Sequence, residues 1–212
     1  MDAHFPHLYL IGLTGNIGCG KSTVVELLAA RGAQVLDADA VTRQVMDVGQ
    51  PAYERIVEVF GPDILHAPGG AINRPTLGRI VFGDQAALRT LESIVHPVTR
   101  ATILAWLHER DAAAAHLDRR AITVVDAIRL LEGGYPQFCD AVWVVTCDEH
   151  QQLRRLVEQR GMTEADARQR IAAQPPQHEK TAAADVIIDN SGTREQTERQ
   201  VAAAWQAIPV AA

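Results

Sequence analysis

The chain has 212 residues, 47% of them hydrophobic, which is enough apolar material to bury a sizeable core as one domain or one domain with an inserted piece. Twenty Lys and Arg against 26 Asp and Glu leave a formal charge of -6, which excludes a generalised nucleic-acid-binding surface and makes any anion site local. The start, MDAHFPHLYLIGLTG, has neither the basic opening nor the apolar run of a signal peptide or membrane span, and Cys19, Cys139 and Cys147 lack C-x-x-C spacing, so a cytoplasmic protein with free thiols is expected.

His7 to Leu13 reads as a short buried strand that runs into a glycine loop, and Ser22 to Ala30 as a helix closed by Gly32. Ala33 to Leu36 follows as a second strand, with Asp37-Ala38-Asp39 as a carboxylate-bearing loop at its carboxyl end and Ala40 to Asp47 as a helix stopped by Gly49-Gln50-Pro51. From Ala52 to Ala115 the composition is helical, broken at Gly61-Pro62, at Ala67-Pro68-Gly69-Gly70 and at Pro97. Ile122 to Val125, Ala141 to Thr146 and Val186 to Ile188 are apolar, β-branched runs of the kind that parallel strands covered on both faces require. Glu149 to Ala173 reads as two charged helical segments hinged at Gly161, and Thr193 to Ile208 as an amphipathic terminal helix. Strands alternating with helices predict a doubly wound α/β fold with a mostly parallel five-stranded sheet.

Gly15-Asn16-Ile17-Gly18-Cys19-Gly20-Lys21-Ser22 fills the pattern G-x-x-x-x-G-K-[ST] between a predicted strand and a predicted helix, the context in which that pattern cradles phosphates. Glycines let backbone N–H groups converge on phosphate oxygens, the helix N-terminus adds favourable electrostatics, Lys21 supplies a mobile cation, and the Ser22 hydroxyl can ligate Mg²⁺. Thr23 completes the set of nucleotide-binding candidates. Cys19 sits near a helix start, where a thiol pKa can fall, although a small residue tolerated in the loop is the simpler reading. Asp126, at the end of a strand, stands where a carboxylate could hold Mg²⁺ through water.

GLTGNIGCGKS followed by V-L-D-A-D-A-V-T-R-Q-V closely resembles the dephospho-coenzyme A kinase family. Asn73-Arg74 before Leu77, Ile80-Val81-Phe82, Leu91-Glu92, His96-Pro97 with Arg100, Gln152-Leu153 with Arg155, Arg170-Ile171 with Gln174 and Ile188-Asp189-Asn190-Ser191-Gly192 extend the resemblance over roughly positions 8 to 205. Two features depart from it. Asn16 and Cys19 stand where Gly and Ser are usual, and Ala127-Ile128-Arg129-Leu130-Leu131-Glu132 replaces I-P-L-L-F-E, which adds charge at Arg129 and removes a proline while Glu132 still aligns.

The resemblance implies a single P-loop kinase domain with its core at 7–50 and 116–212, a helical acceptor-binding insertion at about 51–115 and a lid at about 149–176. It implies ATP and Mg²⁺ as requirements and dephospho-coenzyme A as the small-molecule acceptor, with no nucleic acid, membrane or obligate protein partner; another P-loop small-molecule or nucleotide kinase is the alternative. Asp39 is expected to hold the acceptor's ribose 3′-hydroxyl and take its proton, unless Asp37 or Asp39 merely caps the following helix. Arg43, four residues on, could bind the acceptor phosphate or pair with Asp39. Arg74, His96 and Arg100 are expected against the acceptor's anionic groups, with His96 at a kink between helices set by Pro97. Arg155 and Arg160 suit a lid that delivers guanidinium charge to the triphosphate, and Asn190 is expected at the nucleotide base.

Overall fold

The computed structural model describes residues 4–209. In chain order the elements are β1 (Leu8–Gly15), α1 (Lys21–Ala29), β2 (Gln34–Asp37), α2 (Ala38–Gln44), α3 (Pro51–Phe60), α4 (Arg74–Gly83), α5 (Gln85–Ala114), β3 (Ala121–Asp126), β4 (Ala141–Thr146), α6 (Glu149–Glu158), α7 (Glu164–Ala172), α8 (Gln177–Thr181), β5 (Val186–Asp189) and α9 (Arg194–Gln206). They fall into two compact units. One holds the described chain up to Leu36 and again from Arg110 onward, and the other is Asp37–Glu109.

The first unit is built on a five-stranded sheet in the order β2-β3-β1-β4-β5. β1 pairs in parallel with β3 and with β4, and β4 in parallel with β5. Parallel strands need crossovers, and the helices that supply them cover the faces, so the strands can be apolar on both sides. β1 is buried at every position. Its odd residues Tyr9, Ile11 and Leu13 join a core with Val24 and Leu28 of α1, Trp143 and Val145 of β4, and Val201 of α9, while Leu8 and Leu10 are buried as well.

Because the chain runs from β1 to β2 and β3 on one side of the central strand and then to β4 and β5 on the other, the sheet has a topological switch at the carboxyl end of β1, where α/β sheets open a crevice. Register brings Leu13 beside Asp126, Gly15 beside Val145, and Thr146 beside Asp189 at that edge. The close approach of β4 explains Gly15: a Cβ there would meet the Val145 carbonyl oxygen at 2.5 Å. Gly15→Ala is therefore expected to lower stability by about 1–3 kcal/mol, the usual cost of overpacking against something that cannot move. Urea unfolding monitored by far-UV circular dichroism checks this, and an unchanged midpoint would show that β4 yields freely.

The second unit is helical. α3 begins at Pro51, at a first helical position that has no partner for an N–H, and α4 begins after Asn73, whose side chain accepts from Thr76 N at 3.1 Å. Between them a single antiparallel bridge joins Leu65 and Ile72, and the Tyr53 hydroxyl donates to Gly70 O at 2.7 Å. Tyr53, Ile56, Ile64, Ile72, Leu77 and Val81 are buried.

Two local expectations are corrected. Asp37-Ala38-Asp39 does not form a loop: α2 starts at Ala38, with Asp37 as its N-cap accepting from Ala40 N at 2.8 Å and Asp39 in the first turn. An aspartate at the end of a strand nucleates a helix through that cap, so the chain turns without intervening residues. Nor does Pro97 divide the long helix, for α5 runs unbroken from Gln85 to Ala114 with the proline inside. Val95, Thr99, Ile103 and Leu107 are buried at four-residue spacing along it, and burial of that continuous stripe outweighs the one backbone hydrogen bond that proline forfeits.

Candidate active site

The loop from Gly15 to Ser22 leaves the end of β1 and enters α1. Gly18 (φ 76°) and Gly20 (φ 80°) hold left-handed conformations that glycine adopts without strain. Gly20 is the N-cap of α1, and no side chain caps that helix, so no capping side chain competes with a phosphate for its first amides. Ser22 is exposed at the first turn and Thr23 half-buried behind it.

Lys21 forms an ion pair and hydrogen bond with Asp126, both side chains being largely shielded, at 16% and 12% exposure. Asp126 closes β3, next to β1, so the strand register itself sets a carboxylate beside the loop lysine. A hydroxyl and a carboxylate are hard oxygen donors of the sort Mg²⁺ accepts, together with phosphate oxygens and water. No group of three or more His, Cys, Asp or Glu among the described residues makes an all-protein metal cage.

Side chains from the later part of the chain hold the loop by its carbonyls. Arg155 of α6 donates to the carbonyls of Gly18 (3.3 Å), Cys19 (3.1 Å) and Asn190 (2.8 Å). Asn190 is buried, its Nδ2 donating to Cys19 O at 2.8 Å and its Oδ1 accepting from the Thr197 hydroxyl at 2.7 Å. Gln152 Nε2 donates to Ile17 O at 3.0 Å. A cavity of about 200 Å³ adjoins the loop, bordered by Gly20, Thr23, Arg155, Arg160, Asn190 and Arg194. Arg155 and Asn190 thus meet at the loop, whereas Arg160 is exposed at the cavity's rim. Arg155→Met removes two hydrogen bonds from the loop's carbonyls and a third from Asn190 O, and loss of even one charge-assisted bond of about 1.5 kcal/mol raises KM for ATP by roughly tenfold. Initial-rate ATP titrations check this; an unaltered KM would mean that the cradle does not shape the loop.

The segment from 174 to 180 adds contacts that sequence reasoning missed. Gln174 Oε1 accepts from Ile17 N at 2.7 Å, Pro175 O accepts from Asn16 Nδ2 at 3.1 Å, and Gln177 Oε1 lies 3.5 Å from Cys19 Sγ and accepts from Cys147 N at 3.3 Å. Its signal in the sequence was the run Gln174-Pro175-Pro176-Gln177 straight after a helix, polar yet too stiff for a free linker. Asn16, where the resembled family has glycine, uses its amide for this seam. Cys19 is wholly buried beneath the loop. A hydrogen bond from the Cys147 thiol lowers the Cys19 pKa and raises that of Cys147, and burial pushes the Cys139 thiol up to about 12.

Within the helical unit, Arg74 Nη2 donates to Arg43 O at 3.0 Å and pairs with Asp47 at 3.2 Å, while Arg43 lies 3.6 Å from Asp37. Two of the arginines expected to bind the acceptor, far apart in sequence, are therefore neighbours, and Asp39 shares α2 with Arg43. His96 and Arg100 lie one turn apart on α5, the histidine exposed and the arginine half-buried.

The family model for dephospho-CoA kinase matches residues 9–196. The chain belongs to the dephospho-CoA kinase family. A dephospho-CoA kinase of Symbiobacterium thermophilum is 44% identical over 198 residues, covering 93% of this chain and 80% of that one. Among solved structures, a protein of Thermus thermophilus is 30% identical with a TM-score of 0.78 over 95% of this chain and 98% of that one, and the dephospho-CoA kinase of Campylobacter jejuni is 26% identical with a TM-score of 0.70 over 93% and 96%. The phosphate loop, Asp126, the Asn190 turn and the Arg43–Arg74 neighbourhood all lie inside the matched span of this dephospho-CoA kinase family member.

Proposed function

We propose that this protein transfers the γ-phosphoryl group of ATP to the ribose 3′-hydroxyl of dephospho-coenzyme A, giving coenzyme A and ADP, the last step of coenzyme A synthesis. The observation that carries this reading is a complete phosphate loop with its Lys21–Asp126 pair, set in a chain that matches the dephospho-CoA kinase family from residue 9 to 196.

Phosphoryl transfer through a loose transition state leaves the protein two tasks, neutralising charge on the transferred group and orienting the acceptor. The amides and glycines of Gly15–Ser22 hold the phosphates, and Lys21 bridges the β- and γ-phosphate oxygens. Mg²⁺, when bound, supplies further neutralising charge there; the Ser22 hydroxyl and, through water, Asp126 would hold it. Arg155 and Asn190 keep the loop in shape, Arg155 and Arg160 border the nucleotide, and Asn190 adjoins the base. The unit 37–109 takes the acceptor, with Arg43, Arg74, His96 and Arg100 against its anionic groups and Asp39 as the base for the 3′-hydroxyl. No helix among the described residues is long and apolar enough to cross a membrane, and a cytoplasmic site of action is part of this proposal.

The deciding experiment is an acceptor panel followed by ADP release. Dephospho-coenzyme A is expected to stimulate release in the presence of Mg²⁺ and to yield a product phosphorylated at the 3′ position. Stimulation by a nucleoside or nucleotide but not by dephospho-coenzyme A would reassign the protein to another small-molecule kinase.

A further inference from the structure

Lys180 is 3% exposed, a depth at which lysine is found almost only when its amine is held by partners. It comes from α8, a helix that packs on β1 and β4, and its Nζ donates to Ile128 O at 2.7 Å and lies 3.4 Å from Thr14 Oγ1. Thr14, itself wholly buried, donates its hydroxyl to the same Ile128 carbonyl at 3.1 Å. Between Asp126 and Ile128 stands only Ala127, whose N–H donates to Leu13 O at 3.0 Å. Asp126, the last residue of β3, and the two residues that follow it are thus fastened to the end of β1, and the first of the three is the carboxylate that pairs with Lys21.

A methionine would fill much the same volume, and the Ile128 carbonyl would still have the Thr14 hydroxyl as a donor. What the lysine adds is a second donor on one backbone oxygen, delivered by the same segment whose Gln174 and Gln177 reach Ile17 and Cys19 in the phosphate loop. A single element therefore touches both the loop and the strand end that carries Asp126.

We propose that Lys180 is a positioning residue for phosphoryl transfer: by holding the Ile128 carbonyl it fixes the segment 126–128 and with it the Asp126 carboxylate against Lys21 and the metal-bearing side of the phosphate loop. This rests on the kinase reading above. Groups that orient a metal-facing carboxylate without touching the substrate typically change metal affinity or activity by about 10- to 100-fold, and that is the scale expected here.

The test compares the wild-type chain with Lys180→Met and Lys180→Arg by Mg²⁺ titration of the rate, by binding of a fluorescent ATP analogue and by thermal melting. Lys180→Met is expected to bind the nucleotide within about twofold of wild type while kcat falls about 10- to 100-fold and the Mg²⁺ concentration giving half-maximal rate rises. Lys180→Arg, which can still donate to the carbonyl, recovers part of both. A merely structural lysine would lower the melting temperature and leave the Mg²⁺ dependence of the folded protein alone, and that result overturns the proposal. Should Lys180→Met not fold, Lys180→Gln takes its place, and failure of both to fold also overturns it, since the lysine is then a requirement of the fold. If wild type phosphorylates no dephospho-coenzyme A, the kinase reading has failed, while the Mg²⁺ dependence of ATP hydrolysis in the same three proteins still decides the role of Lys180.

Discussion

Lys21→Met is expected to lower kcat by about 10²–10³-fold, the scale on which enzymes lose rate when one preorganised partner of the developing charge is removed. The transferred phosphoryl group spreads its charge over three oxygens in the transition state, and Lys21 is a mobile point charge at the mouth of a helix whose own amides are fixed. Its contribution therefore grows along the reaction coordinate, so the loss should fall on kcat more than on ATP affinity. A second consequence follows from the shielding of Asp126, which is only 12% exposed at its side chain. Taking away the lysine leaves that carboxylate without its Lys21 partner in a poorly solvated place, so the variant should also melt earlier than wild type. Lys21→Arg keeps the charge but replaces a compact ammonium by a planar fork too large for a loop drawn tight by Gly18 and Gly20, and it should recover stability better than rate. Pre-steady-state ADP formation and thermal melting on the three proteins separate the two effects. A Lys21→Met enzyme with near-normal kcat would remove the lysine from the chemistry.

The parts of this site that were readable beforehand are those that depend on local order. A buried apolar run followed by G-x-x-x-x-G-K-S reads as a strand delivering an amide-lined turn to a helix, because backbone geometry and phosphate chemistry demand the same residues. The apolar runs ending at Asp126, Thr146 and Asp189 likewise announced parallel strands, since only strands covered on both faces tolerate such composition. Sequence could not say that Asp126 would stand beside Lys21: that follows from the register Leu13 to Asp126, a property of the assembled sheet. Lys180 was invisible for the same reason. In the sequence it is one charged residue in a polar stretch, and only packing of α8 on β1 and β4 turns it inward. The misreadings were of elements that propensity alone places badly. Proline argued for a break at 97, and tertiary burial of Val95, Thr99 and Ile103 overrode it. Two aspartates one residue apart argued for a loop, and a single side-chain cap at Asp37 made a helix instead.

That cap also sharpens the part expected of Asp39. Either aspartate of Asp37-Ala38-Asp39 could have been the helix cap, and the structure gives the role to Asp37, whose oxygen accepts from Ala40 N. Asp39 sits in the first turn of α2, half-buried, on the helix that also carries Arg43 and in the unit where Arg43 meets Arg74. A carboxylate on the helix that carries Arg43, in the unit that also holds Arg74, suits an acceptor that brings both a hydroxyl to deprotonate and phosphates to hold. Asp39→Asn keeps the shape of the side chain and removes the base, so kcat should fall by about 10²–10⁴-fold, the usual contribution of general base catalysis. ATP binding should change little, because the phosphate loop and its cradle belong to the other unit. Asp37→Asn is the matching control: asparagine caps a helix as well as aspartate does, so this variant should retain both fold and turnover. Steady-state kinetics with dephospho-coenzyme A, alongside direct nucleotide binding, distinguishes the pair. Equal and modest losses from the two substitutions would mean that the aspartates serve the helix, and that the proton of the acceptor leaves by another route.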